Sequence, residues 1–494
     1  MKVLLIWPVA PREAWPRGLY RVRTFETRLA CAAALLRRAG HEVRILQREE
    51  QLIKRRFDWE GAEAQLRAVL EEYHPDVVAQ SVATPAMPEA GRIAAWAKEI
   101  VGPQVINILA GTHPSGVPER TLAESPETDA VALGEYERTL CDVADRGLDV
   151  DVPGLLLRRE AELIRTPSRT AATDPDVLGP PAYDLLDMDF HVEPNPWTIR
   201  YLNLSSINIR TSRGCPNRCT FCAEHLVNGV GVRFHSLDYV MDQVRYAADR
   251  LGVQAVSFED DTLATDRERL LTLCESLQRE GLHERLRWNC LMRVDQADAE
   301  VLAAMKAAGC IQIEYGFESG SDASLRGLAK NTTVEQNRRA VRLTREAGIR
   351  IFADIIVGLP GETRADFAGT MKFLQWARPE ILSAGRLLPM PGTHLYRSLD
   401  ESVRATFDWG GFSYTPQPGF RINFTAMEDD RFERLYEVFY KYVVKPHNAR
   451  ALLRDRGLTD EALRNGFHRY LRRFSRRHPL RAVRLPIAGV VETV

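Results

Sequence analysis

Three cysteines stand close together in the segment 210–222: Cys215, Cys219 and Cys222, spaced Cys-x-x-x-Cys-x-x-Cys. Thiolates crowded into so short a loop repel each other unless they share a soft metal centre, so the spacing points to metal ligation. Three ligands are one short of the four that a cubane cluster or a structural zinc takes, and an iron without a protein ligand is open to chemistry. Zinc is the alternative, because His225 follows at a spacing that completes a Cys3His tetrahedron. Two neighbours favour iron. The run 207–211 reads as a short strand leading straight into the loop, and Phe221 sets a bulky ring before the last cysteine, where zinc has no need of one.

The elements that must position this loop are legible from periodicity. Towards the N-terminus, 2–7, 42–46, 76–81, 104–110 and 128–133 read as strands. The helical stretches 25–39, 61–73 and 89–100 alternate with them. Strictly alternating strands and helices imply a doubly wound parallel sheet, Rossmann-like, whose ligands bind at the strands' carboxyl ends. The loops there read Ser81–Thr84, Ala110–Pro114 and Gly134–Glu137. A proline-rich stretch from 149 to 204 reads as a connector. After the cysteine loop the alternation resumes, with strands at 254–259, 286–292, 311–316, 350–357 and 380–388. Counting the strand before the cysteines, this makes six strand–helix units, with polar residues gathered at the strand ends.

The chain has 494 residues, 45% hydrophobic and 27% charged, which suits two or three domains. A net charge of −1 supplies no global field for nucleic acid or membrane. No apolar stretch reaches the length of a membrane span, and the first residues read as a strand rather than a signal peptide. Of eight cysteines, Cys31, Cys141, Cys274, Cys290 and Cys310 are scattered through apolar patterns and read as core residues. No disulfide framework is suggested, so a reducing cytoplasm is expected.

The cysteine segment resembles the cluster loop of radical S-adenosylmethionine (SAM) enzymes, in which an aromatic residue precedes the third cysteine. The resemblance implies a 4Fe-4S cluster on Cys215, Cys219 and Cys222, SAM on the fourth iron, and a one-electron donor such as flavodoxin or ferredoxin. It also implies a partial (β/α)6 barrel. Glu259, Asp260 and Asp261 then stand as acceptors for the ammonium of SAM, and Arg293 as a donor for its carboxylate. Glu318 and Ser319, in Gly316–Gly320, match the family's ribose- and methionine-contacting stretch. Ile355, Ile356, Val357 and Gly358 match the apolar stretch that holds adenine, and Phe221 flanks the cluster. The N-terminal sheet resembles the cobalamin-binding domain that precedes many radical SAM domains, implying contacts from Ser81, Thr84, Gly111, Thr112, His113, Gly134 and Glu135. Two residues depart from that pattern: Ala110 and Tyr136 stand where glycines are often found. His113, followed by Pro114, is expected as a loop contact rather than a cobalt ligand.

These readings divide the chain into a cobalamin-binding-like domain (1–148), a connector (149–204), a radical SAM barrel (205–395) and a mainly α C-terminal region (396–494). In that last region, 429–444 reads as an amphipathic helix closing the barrel, and Phe407, Trp409, Phe412, Tyr414 and Phe420 make an aromatic-rich loop, either substrate wall or cover. A run of arginines from Arg464 to Arg484 reads as a solvated helix face, so nucleic acid is disfavoured as a partner. The expected activity is cobalamin-dependent C-methylation of a small molecule. The alternative is a dehydratase, cyclase or other redox enzyme of the same architecture without methyl transfer. A methylthiotransferase is disfavoured because only Cys31 and Cys141 precede the loop, too few for a second cluster. The sequence assigns no acid, base or other catalytic residue.

Overall fold

The computed structural model describes residues 1–12, 23–160, 162–196, 198–412, 422–444 and 447. The arginine run, Tyr414 and Phe420 lie outside them. The chain forms two compact units, the first from the described residues of 1–191, 212–239 and 388–413, the second from those of 192–211, 240–387 and 414–494.

The first unit is built on a seven-stranded sheet of order β2-β1-β3-β4-β5-β6-β7. Its strands are β1 (Lys2–Trp7), β2 (Glu42–Gln47), β3 (Val77–Ser81), β4 (Ile106–Ala110), β5 (Ala130–Ala132), β6 (Leu155–Arg159) and β7 (Glu162–Arg165). The first five are parallel. Unbroken apolar runs form them because both faces are covered. Alternation along β1 shows it: Val3 and Leu5 pack with Leu29, Leu36, Leu140 and Val143 on one face. Leu4 and Ile6 pack with Leu66, Leu70, Ile93 and Ala97 on the other. Asp58 caps the helix Trp59–Tyr73, accepting from the Gly61 amide at 3.0 Å.

The stretch 149–204 is more than a connector. β6 and β7 form an antiparallel hairpin that extends the sheet beyond β5. Leu155 and Leu157 join one core and Leu156 another, so three consecutive leucines bury on both faces. The prolines that suggested a linker flank this hairpin rather than interrupt it. The unit also contains a small two-stranded hairpin that carries the cysteine loop.

The second unit holds six strands: β8 (Ser206–Ile209), β11 (Ala255–Phe258), β12 (Arg287–Met292), β13 (Cys310–Glu318), β14 (Arg350–Val357) and β15 (Ile381–Arg386). All pair in parallel, in the order β15-β14-β13-β12-β11-β8. One face packs on helices: the Tyr315 hydroxyl meets Thr344 Oγ1 at 2.9 Å, Phe317 lies edge-on to Phe373, and Trp288 Nε1 donates to the Ala308 carbonyl. Thr333 and Thr363 open the helices Val334–Glu346 and Arg364–Ala377 with capping boxes. By alternation the opposite face presents Asn289, Gln312, Glu314, Asp354 and Ser383. The predicted helix at 429–444 is α-helical over Asp429–Phe439 and ends in a π turn, Tyr440–Val444. It packs on the β15 side, where Tyr436 accepts from the Arg386 amide at 3.2 Å.

Candidate active site

In the first unit, the cysteine loop grows from two short antiparallel strands, β9 (Ser212–Arg213) and β10 (Arg233–Phe234). Gly214 lets it form. Its φ is +93°, and a Cβ there would lie 2.3 Å from the Gly231 carbonyl oxygen. Cys215 bridges to Val230, and its carbonyl accepts from the Gly231 amide at 3.3 Å. All three cysteines are half-buried and outside any disulfide among the described residues. Asn217 Nδ2 donates to Cys215 Sγ at 3.4 Å, a bond that stabilises a thiolate. Phe221, also half-buried, sits beside Cys222. His225, the alternative fourth ligand, is half-buried, and burial with the nearby Arg397 and Arg218 lowers its pKa. A donor set of three soft thiols on one anchored loop fits an iron–sulfur cluster.

Buried ions hold this hairpin to the third carboxyl-end loop of the sheet. Arg213 Nη1 lies 2.6 Å from Glu137 Oε1, the two side chains being 3% and 1% exposed. Arg233 makes a two-pronged contact with Glu135, at 2.9 and 2.5 Å. Arg28 approaches Glu137 at 4.0 Å and also bonds Asn228 Oδ1. Burial opposes ionisation of Glu137, but the guanidinium groups of Arg213 and Arg28 outweigh it and hold its carboxyl below the usual range. Glu135, expected as a cobalamin contact, has its carboxylate paired with the arginines of the cysteine hairpin.

The other two loops leave polar groups unsatisfied. His113 is fully buried and, among the described residues, neither ring nitrogen has a hydrogen-bond partner; nor has the buried Thr84 Oγ1. Burial, and secondarily Arg120, push the His113 pKa down to about 3, so the ring is neutral. Gly111, at φ +103°, brings the backbone so close that a Cβ would stand 2.9 Å from the Val82 amide nitrogen. Thr112 opens the short helix Thr112–Gly116, and the Gly134 amide donates to Ser115 Oγ at 3.1 Å. Orphaned imidazole and hydroxyl atoms beside a glycine-made close approach fit an amide-rich ligand such as a corrin. Tyr136 neither contacts nor blocks such a ligand from the loop mouth. It turns into the core, and its hydroxyl donates to Ser81 Oγ at 3.1 Å. The aromatic-rich stretch is cover: Trp409 packs edge-on to His113 at 4.8 Å, under the Arg120 guanidinium, with Phe407 and Phe412 around it.

In the second unit the SAM candidates sit after the strand ends. Glu259 is half-buried and accepts from Asn208 Nδ2 at 2.6 Å; Asp261 is half-buried beside it. Asp260 is fastened to the Thr211 amide and hydroxyl, both at 3.1 Å. Arg293 grips Asp295 and donates to the Lys330 carbonyl at 2.8 Å, while Lys330 Nζ pairs with Glu318 Oε1 at 2.5 Å. Ser319 is fully buried, with its hydroxyl 3.0 Å from Thr370 Oγ1. Ile355 and Val357 point into the helix-covered core; Ile356 alone of that run is partly open. Gly358 spends its amide on Glu362 at 2.9 Å and abuts Phe432. Sequence reasoning passed over Lys330, Glu314 and Asp354. Lys330 sits in no motif, and the two acids lie inside strands, where only a register reveals that they meet.

Residues 209–374 match the Radical SAM superfamily and residues 24–144 match the B12 binding domain. An uncharacterized methyltransferase, PH0819, of Pyrococcus horikoshii is 28% identical over 89% of this chain and 92% of its own length. An anaerobic magnesium-protoporphyrin IX monomethyl ester cyclase of Cereibacter sphaeroides is 27% identical over 70% of this chain, which spans 56% of that protein. Among solved structures, the cobalamin-dependent SAM radical enzyme OxsB, with aqua-cobalamin and SAM bound, superposes with a TM-score of 0.71 at 17% identity, over 96% of this chain and 71% of that one.

Proposed function

This chain is a radical SAM enzyme with an amino-terminal cobalamin-binding domain, and on that premise we propose that it methylates a carbon of a small-molecule substrate. When bound, the cluster and SAM supply a radical able to take hydrogen from an unactivated carbon, and cobalamin supplies a methyl carrier. Cys215, Cys219 and Cys222 would hold the cluster. Glu259 and Asp261 offer acceptors to the ammonium of SAM, Arg293 a donor to its carboxylate, and Ile356 an apolar surface to its adenine. His113, Thr84 and Gly111 would hold the corrin. Glu137 and Arg213 keep the cysteine hairpin fixed on the loop at 134–137, and a preset geometry is what a radical reaction asks of its protein. That buried link, between the loop bearing three thiols and a sheet whose neighbouring loops carry orphaned polar atoms, is the observation that most supports methyl transfer.

The reductant is a small one-electron carrier of the flavodoxin or ferredoxin kind. A methyltransferase name on the relative PH0819 favours this reading over a cyclase reading. The test is anaerobic reconstitution with iron, sulfide and hydroxocobalamin, then incubation with SAM, reductant and candidate substrates. Formation of 5'-deoxyadenosine together with S-adenosylhomocysteine is the expected result. Deoxyadenosine alone would support the cyclase-type reading, and neither product would overturn both.

A further inference from the structure

We propose that the open face of the second unit's sheet, at Glu314 and Asp354, binds a protonated amine of the substrate. This names a substrate class for the methyltransferase reading and rests on it. Ile313, Tyr315 and Phe317 pack on helices, so Gln312 and Glu314 point the other way along β13. Asp354 lies opposite Gly316 on one side and Ser383 on the other. Alternation sets its carboxyl and that of Glu314 on the same face, diagonal across the β13–β14 pair, with Ser383 alongside. Two carboxyls that share a buried face as diagonal neighbours favour holding one proton between them and presenting a single negative charge. Burial and then Glu314 raise the Asp354 pKa well above its usual range, in keeping with a shared proton. Neither acid forms an ion pair among the described residues; Lys330 is paired with Glu318, and the Arg200 guanidinium lies over the ring of Phe352, the residue opposite Glu314.

The acids do not stand alone. Asn289 lies opposite Gln312 in the register, on the same face. Among the described residues, Gln312 Oε1 and Asn289 Oδ1 are buried without a hydrogen-bond partner, in residues 1% and 3% exposed. Glu314 is the next same-face position along β13, about 7 Å further. One carboxylate and two amide oxygens are three acceptors, and an alkylammonium has three N–H donors and no acceptor. A neutral or anionic ligand would leave the charge unmatched. The cation therefore fits this face through complementarity of both charge and hydrogen bonding.

The test uses the reconstituted holoenzyme with SAM, and hexane-1,6-diamine against hexane-1,6-diol as probes, read by calorimetric titration. Wild type is expected to bind the diamine about tenfold or more tightly than the diol, the change of one charge-assisted hydrogen bond. Glu314→Gln with Asp354→Asn should abolish the preference. Should that pair fail to retain iron, Glu314→Gln alone is read, with a reduced preference expected. Equal binding of diamine and diol by wild type, no binding of the diamine, or an unchanged preference in an iron-retaining variant would each overturn the proposal. SAM products are scored on the same preparations. If deoxyadenosine and S-adenosylhomocysteine form while the diamine is ignored, the substrate class fails alone. If the diamine binds selectively and no SAM products form, the methyltransferase reading fails instead.

Discussion

Glu137→Ala tests whether buried ions anchor the cysteine hairpin. The substitution strands two guanidinium groups inside the protein. Arg213, 3% exposed, would retain only Glu135 at 3.6 Å, and Arg28 would lose its nearby carboxylate. Removing one member of a buried pair costs about 3–5 kcal/mol, because the survivor stays desolvated. At roughly 2–4 °C per kcal/mol for a domain of this size, the thermal midpoint should fall by about 6–20 °C. Arg213 is two residues ahead of Cys215, so the loosened hairpin should also surrender iron to a chelator faster. Glu137→Gln should behave similarly, since it keeps shape and loses charge. Glu137→Leu combined with Arg213→Met should recover much of the loss, because an apolar pair is better tolerated than a broken ionic one. Circular dichroism melts of the anaerobic protein and the rate of iron release read both effects. A midpoint for Glu137→Ala within about 1 °C of wild type would refute the reasoning, as would a double variant whose loss equals the sum of the singles.

Cys219→Ala should leave the thermal midpoint of the metal-free protein nearly unchanged, since the thiol is half-buried, while brown colour and bound iron are lost; metal analysis after reconstitution decides it. Gly358→Ala should destabilise by about 2–4 kcal/mol, combining a left-handed φ of +83° with a Cβ 2.7 Å from Phe432 Cζ. Pairing it with Phe432→Leu should restore part of that in urea unfolding, and no restoration would show that the clash is not the cause. His113 makes the metal-free protein acid-sensitive. Its folded pKa of about 3 lies below the ordinary 6.5, so the unfolded chain binds the proton first. Stability from this group is complete above 6.5 and lost as pH falls towards 3, and His113→Phe should flatten that slope in melts taken across this range. Parallel slopes for the two proteins would rule the histidine out.

What the sequence determined by itself was local. Cys-x-x-x-Cys-x-x-Cys is a ligand set because its members are close along the chain, and no fold is needed to bring them together. The alternation of apolar runs with helical periods specified two parallel sheets, since the period of a strand and that of a helix follow from backbone geometry alone. The structure decided what depends on distant partners. Arg213 meets Glu137 across 76 residues, so Glu135, read in the sequence as a cobalamin contact, and Glu137, read only as part of a loop, became the hairpin's anchor. Tyr136, ambiguous as a letter, turned inward because the core had room for a ring that could reach Ser81. The hairpin β6–β7 hid among prolines because strand pairing is a property of two segments. Glu314 and Asp354 became a pair only when β13 and β14 took a register that sets them on one face. Spacing along the chain encodes which groups can act; burial and pairing across it decide which of them remain free to do so.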